Sequence, residues 1–200
     1  MLNNNITMSN REKYTSEEAI LEAAGQEFME KGFYGARTTS IAERAGVTHA
    51  MLHYYYRSKE QLFERIVSDK MSVIADSVMM ILVDENLPLK ERLEKGIAKH
   101  FDFLVSNPLL PCFLVNEVDR IHPIMVDLIK ERFAVMVNVM QKEIDIDVRH
   151  LVLDILSQNV MPFLLLPIVE KIGFFDGGRD EMLERIKEEN VTIILKRLGL

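Results

Sequence analysis

The sequence predicts an all-α protein with an N-terminal three-helix part followed by a C-terminal helical bundle. Apolar residues recur at helical spacing in one segment after another, and no segment alternates apolar and polar residues as a half-buried strand would. Gly, Pro and capping residues fall between the periodic stretches. Two hundred residues, 48% of them hydrophobic, suffice for one bundle with a small domain attached. There is no internal repeat and no low-complexity stretch.

Residues 1–13, MLNNNITMSNREK, are polar and read as a disordered tail rather than a signal peptide. Thr15 and Glu18 have capping-box spacing, and the first helix runs to about Lys31 with Ile20, Ala23, Ala24 and Phe28 on one face, until Gly32 ends it. Residues 38–61, TTSIAERAGVTHAMLHYYYRSKEQ, then form two short helices joined by a tight turn. Ile41, Ala42 and Ala45 fall on the buried side of the first, with Ala42 small where two helices cross closely. Gly46 supplies the positive φ of the turn, and Val47 packs beneath it. Thr48 caps the second helix, whose Leu52 and Tyr55 are expected to face the first. Ser58 and Gln61 repeat the capping-box spacing, and the stretch from there to about Asp84 lacks Gly and Pro. It reads as one stiff helix of about 27 residues, roughly 40 Å at 1.5 Å per residue, long enough to carry a displacement between distant sites.

Asn86-Leu87-Pro88 breaks that helix, and residues 89–106 make the next, with Leu93, Ile97, Phe101 and Leu104 at helical spacing. Asn107-Pro108 begins a short helical piece to about Asp119. His122-Pro123 opens another, with Met125, Leu128, Ile129, Phe133, Met136 and Met140 on one side. Residues 147–172 start amphipathic but become apolar all round from Val160 to Val169, where Pro162 and Pro167 are expected to kink the helix. Ten apolar residues are too few to span a bilayer. After a loop of Gly173 and Asp176-Gly177-Gly178, residues 181–198 return as an amphipathic helix. Surplus apolar surface on the last two helices points to a homodimer, the plain alternative being that residues 160–169 form the central helix of the core.

The 24 basic and 31 acidic residues give a net charge of −7. From Lys31 to Lys59, however, Lys31, Arg37, Arg44, Arg57 and Lys59 face only Glu43, a local net of +4. A basic face on an acidic body allows phosphate binding there while discouraging it elsewhere, although a solvated charged face has the same composition. The single Cys112 cannot form an intramolecular disulfide, which suits a reducing cytoplasm, and its apolar neighbours mark it as a small buried hydrophobe.

Two short helices around a glycine turn are a general packing solution, and also the arrangement that lays a helix in the DNA major groove. Thr48, His49, Ala50, His53 and Tyr54 are left pointing outwards or along the rim. The start of the helix at Ser58 places Lys59 and free backbone N–H groups where a phosphate fits. The first helix AILEAAGQEFMEKGF, Thr38-Thr39, Ile41-Ala42, Ala45-Gly46-Val47, Leu52, Tyr54-Tyr55-Tyr56 and Ser58-Lys59-Glu60 together resemble the DNA-binding part of the tetracycline-repressor (TetR) family of bacterial transcription regulators. The resemblance runs from about Ser16 to Arg65, a quarter of the chain. It departs at three positions, where the family usually carries Gly for Ala50, Tyr for His53 and Phe for Tyr56, so the operator sequence is the part placed in doubt.

The resemblance implies a DNA-binding domain over residues 14–60 and a ligand-binding and dimerisation domain over residues 61–200. It also implies a homodimer through the last two helices and release from a double-stranded DNA operator by a small-molecule inducer in the cytoplasm. The DNA-contact candidates are Thr38, Thr39, Thr48, His49, Ala50, His53, Tyr54 and Lys59, with His49, Ala50 and Tyr54 towards base edges and Thr39, Thr48, His53 and Lys59 towards phosphates. An imidazole near phosphate is favoured in its charged form, which would make a contact through His53 sensitive to pH.

The five histidines form no metal constellation, since His49 and His53 lack a further ligand pair, and no cofactor is expected. No nucleophile motif or Gly-rich phosphate loop supports an enzyme, so no catalytic residue is assigned. Twelve Met and ten Phe could line an adaptable apolar cavity or simply fill the core. The ligand candidates are Phe101, Phe113, Asn116, Met125, Phe133 and Gln158, with His100, Glu117 and His122 as further polar groups. The rival reading is a small-molecule-binding or protein-interaction module that keeps the helix-turn-helix only as scaffold.

Overall fold

Thr15 starts the first helix through the reciprocal bonds its spacing predicts. Its Oγ1 accepts from the Glu18 N–H at 3.3 Å, and the Glu18 carboxylate accepts from the Thr15 N–H at 2.7 Å. This computed structural model describes residues 15–173 and 177–200, so the expected tail 1–13 and Asp176 of the expected loop lie outside the described residues. The helices are α1 (Ser16–Gly35), α2 (Thr38–Ala45), α3 (His49–Tyr55), α4 (Lys59–Leu82), α5 (Leu89–Ser106), α6 (Leu110–Asn116), α7 (Val118–Met140), α8 (Val148–Lys171) and α9 (Arg179–Leu198). No strand occurs among the described residues, and the fold is all-α. The chain forms two compact units that divide between Asp69 and Lys70, within α4.

Gly32 interrupts the helical path inside α1 with φ 67° and ψ 176°, and one further turn follows it. Pro123 opens no helix. α7 begins at Val118, because the Glu117 carbonyl already accepts from the N–H groups of Arg120 and Ile121 and closes a turn before the proline is reached. Pro123 then sits in the second turn, where only its own missing N–H is lost from the ladder.

The first unit is built around Phe63 of α4, whose ring meets Phe28 and Phe33 edge-on at 5.2 and 5.1 Å. Ile20, Ala24, Ile41, Leu52 and Leu62 complete a dry centre. Between α2 and α3, Gly46 adopts φ 69°, ψ 26°. Its N–H and that of Val47 return to the Glu43 and Ala42 carbonyls, so the last carbonyls of α2 are satisfied and the chain leaves at the angle α3 needs.

In the second unit one cluster joins Leu82, Leu93, Ile97, Met136, Met140, Val148, Leu151 and Ile194, drawn from five helices. Another joins Phe101, Leu104, Phe163, Leu166, Met182 and Leu183. A chain of buried amides runs through α5, α8 and α9. Asn159 donates to the Ile97 carbonyl and to His100 Nδ1, both at 3.1 Å, and its Oδ1 accepts from Asn190, which also donates to the Gln158 carbonyl. Burial pushes the His100 imidazole down to about 4, so it is neutral, and acceptance at Nδ1 puts its proton on Nε2.

α8 leaves Leu153, Leu156, Met161, Leu165 and Ile168 exposed in a stripe along its length, continued by exposed Ile172 just past its end. Although its uninterrupted apolar run is short, the whole helix Val148–Lys171 is long and apolar enough to cross a membrane, with mean hydropathy 1.7 over its best window. The face opposite the stripe packs inside the unit through Val148, Leu151, Asn159, Phe163 and Leu166.

A Cβ at Gly46 would meet nothing within 4 Å, so the cost of Gly46→Ala is backbone strain alone. The substitution is expected to destabilise the first unit by about 1 kcal/mol, read from amide hydrogen exchange in α2 and α3 during native-state denaturant titration. His100 yields the pH dependence of the second unit. Its folded pKa, about 4, lies below the unfolded value of 6.5, so its contribution is complete above pH 6.5 and is lost as pH falls towards 4. Unfolding midpoints measured across that window should drop in the native protein and drop less in His100→Asn.

Candidate nucleic-acid interface

The placement of α2 and α3 begins with an acid on the apolar face of α1. Glu27 is fully buried beside Phe28, and its carboxylate accepts from Lys31 Nζ at 2.7 Å, from Arg44 at 3.3 Å and from the Arg37 backbone N–H at 3.5 Å. Arg37 precedes α2 and Arg44 lies in its last turn, so one carboxylate holds both ends of that helix against α1. The Arg44 guanidinium also reaches Glu30 at 2.9 Å and Gln26 at 3.2 Å, and the hydrogen bond from Arg44 lowers the Glu30 carboxyl below its ordinary range.

α3 is fixed from two sides. Leu52 is buried under it, and at its C-terminal end Tyr56 is 7% exposed, with its hydroxyl donating to Glu17 Oε1 of α1 at 3.0 Å. Burial and then the bond to Glu17 push the Tyr56 phenol up to about 12. Tyr56, not Tyr55, makes the packing contact expected of the aromatic run. Tyr55 is 39% exposed, because α3 ends there and the chain turns extended at Tyr56, which swings that ring inwards.

The remaining surface of α3 is open. His49, Ala50, His53 and Tyr54 are all exposed, Tyr54 at 82%. The His49 and His53 rings meet edge to face at 4.4 Å, and Thr38 Oγ1 lies 3.0 Å from His49 Nε2. Thr48 caps α3 by accepting from the Met51 N–H at 3.1 Å, which leaves its own hydroxyl hydrogen to donate outwards. Thr39 is exposed on α2. Lys59, the first residue of α4, holds its ammonium 4.6 Å from the centre of the Phe33 ring. Ser58 accepts from the Gln61 N–H as its spacing predicts, but the Gln61 side chain reaches back to the Arg57 N–H rather than to that of Ser58.

The local charge of residues 31–59 is not all available to phosphates. Lys31 and Arg44 are taken up by Glu27 and Glu30, two acids of α1 that lie outside the window counted along the sequence. Glu27 is also what the sequence reading missed. The signal was present, since position 27 falls between Ala24 and Phe28 on the apolar stripe, where a carboxylate needs partners to be buried.

The ligand candidates scatter through the second unit. Phe101 is fully buried against Phe163, Phe113 is buried, and Phe133 packs on the larger cluster. Met125 is half-buried and Asn116 exposed. Gln158 has a buried Oε1 with no hydrogen-bond partner. Of the further polar groups, His100 belongs to the amide chain, Glu117 pairs with Arg120 at 3.8 Å, and His122 is exposed. An open groove of about 350 Å³ between α5 and α9 is lined by Glu94, Ala98, Lys187, Glu188, Val191 and Thr192, none of them an expected ligand residue. Among the described residues no three His, Cys, Asp or Glu side chains gather as a metal would need.

Residues 20–66 fit the family of bacterial regulatory proteins, tetR family. The chain is 29% identical over 88 residues to the fatty acid metabolism regulator protein of Bacillus subtilis, a match covering 44% of this chain and 45% of that protein. It thus spans about half the length of the curated relatives of this kind. It is 27% identical over 194 residues to the HTH-type transcriptional regulator RutR of Escherichia coli O157:H7, covering 88% and 87% of the two chains. The fold also resembles the transcriptional regulator FadR of B. subtilis, solved in complex with stearoyl-CoA, with TM-score 0.63, 19% identity and coverage of 88% and 96%. Over residues 20–66 the N-terminal unit is thus similar to the tetR family of bacterial regulatory proteins.

The Tyr56 hydroxyl provides a check on how α3 is held. Its folded pKa of about 12 exceeds the ordinary 10, so its contribution is intact below pH 10 and is lost as pH rises towards 12. Ultraviolet titration of the native protein should show a late tyrosine ionisation near pH 12. Tyr56→Phe should delete that late step.

Proposed function

We propose that this chain is a homodimeric DNA-binding transcriptional regulator of the cytoplasm, acting as a repressor that a small-molecule inducer releases from its operator. The observation that carries the reading is α3 itself. Its one buried side chain, Leu52, secures it to the unit, while His49, Ala50, His53 and Tyr54 are left exposed along one open surface. The reading head comprises residues 14–60, and residues 61–200 provide dimerisation and ligand binding. Each subunit lays α3 in a major groove, so the two read a near-palindromic site at about 34–36 Å or a multiple of it. His49, Ala50 and Tyr54 face base edges. Thr38, Thr39, Thr48, His53 and Lys59 hold register, those nearest the backbone through phosphate oxygens.

The second copy covers the exposed stripe of α8 together with exposed Ile193 of α9. That removes from water an apolar surface that would otherwise drive aggregation. An apolar inducer, neutral or cationic, favours a dimer whose heads are wrongly spaced, and by linkage DNA weakens inducer affinity by the same factor.

Purified protein is to be titrated with the DNA flanking its own coding sequence and with a scrambled duplex, at two salt concentrations. Selective binding that weakens with salt is expected, and His49→Ala combined with Lys59→Glu should abolish it. Unchanged DNA binding by that double variant would favour a scaffold role for the helix-turn-helix. Leu165→Glu should yield monomers in sedimentation and lose selective binding at the same time.

A further inference from the structure

Thr38 and His49 lie at the starts of two different helices, yet their side chains meet, with Thr38 Oγ1 3.0 Å from His49 Nε2. His53 closes on the same ring edge to face at 4.4 Å, so the exposed imidazole is held at a nitrogen and against a neighbouring ring. Packing does not need this bond, because Ile41, Ala42, Leu52 and the Gly46 turn already join α2 to α3. Between exposed groups that water can also serve, it adds little stability, and its effect is to fix the orientation of the ring. An imidazole has two nitrogens, and committing Nε2 to Thr38 leaves Nδ1 as the group offered outwards.

We propose that Thr38 is a positioning residue that holds His49 so that its Nδ1 edge reads one base pair in each half-site. This rests on the reading of α3 as the recognition helix. With Nε2–H donating to Thr38 Oγ1, the threonine hydrogen stays free for a phosphate oxygen, and Nδ1 is an acceptor. An acceptor at that point matches the exocyclic amino group of adenine or cytosine in the major groove. Thr38 therefore serves both the backbone contact and, through His49, the base contact.

The test uses the full chain and a pool of randomised duplexes about three helical turns long, with the bound fraction sequenced for native protein, Thr38→Val, Thr38→Ser and His49→Ala. The native protein is expected to prefer adenine or cytosine at one position of each half-site. Thr38→Val and His49→Ala should each lose about tenfold of the preference at that position while keeping the rest of the site, and Thr38→Ser should restore it. Thermal melts confirm that the variants are folded, since valine keeps the shape of threonine. Retained preference in Thr38→Val where His49→Ala has lost it would overturn the proposal. So would a uniform loss of affinity on all sequences, which marks a phosphate contact alone, or a guanine preference at the His49 position. Failure of the native protein to enrich any sequence would instead remove the reading of α3, and this inference with it.

Discussion

The exposed surface of α3 depends on the buried carboxylate of Glu27. An acid placed among Ala23, Ala24 and Phe28 cannot remain there alone, because leaving water without partners would cost several kcal/mol. It takes Lys31 from its own helix, Arg44 from the end of α2 and the Arg37 N–H from the start of α2. These partners set the angle of α2 on α1. The Gly46 turn and Leu52 then pass that angle to α3, so the exposed histidines inherit their position from a group well inside the unit.

The chain combines the exposed surface of α3 with a sparing use of charge. Lys31 and Arg44 serve the scaffold, and Lys59 rests over Phe33. Under the proposed function, fewer free cations mean less sequence-independent attraction to DNA and a larger share of recognition left to the side chains of α3. The departures from the family pattern fit this. Tyr56 has a hydroxyl where phenylalanine is usual, and Glu17 receives it, while His53 occupies a position adjoining His49 and packs against its ring.

Much of this was legible in the sequence because it rests on local chemistry. Thr15, Gly46, Thr48 and Pro88 mark helix ends through interactions within a few residues, and those boundaries stand where the spacing put them. Interactions between distant residues were not legible. The Glu27–Arg44 pair spans 17 residues, Tyr56–Glu17 spans 39 and Asn159–His100 spans 59, and periodicity carries no information about such partners. Tyr55 and Tyr56 show the limit within one motif. Helical phase selects Tyr55 for the core, but the helix stops there and a single extended residue reverses the choice.

The buried amides of the second unit set a rule for motion. Asn159 and Asn190 are satisfied only when α5, α8 and α9 stand in one register, since the Ile97 carbonyl, His100 Nδ1 and the Gln158 carbonyl are all needed at once. Sliding α8 by even one residue would leave several polar groups dry and unpaired, at about 1–3 kcal/mol each. These three helices are therefore keyed to one another as a single block, whose polar pairs fit only one register.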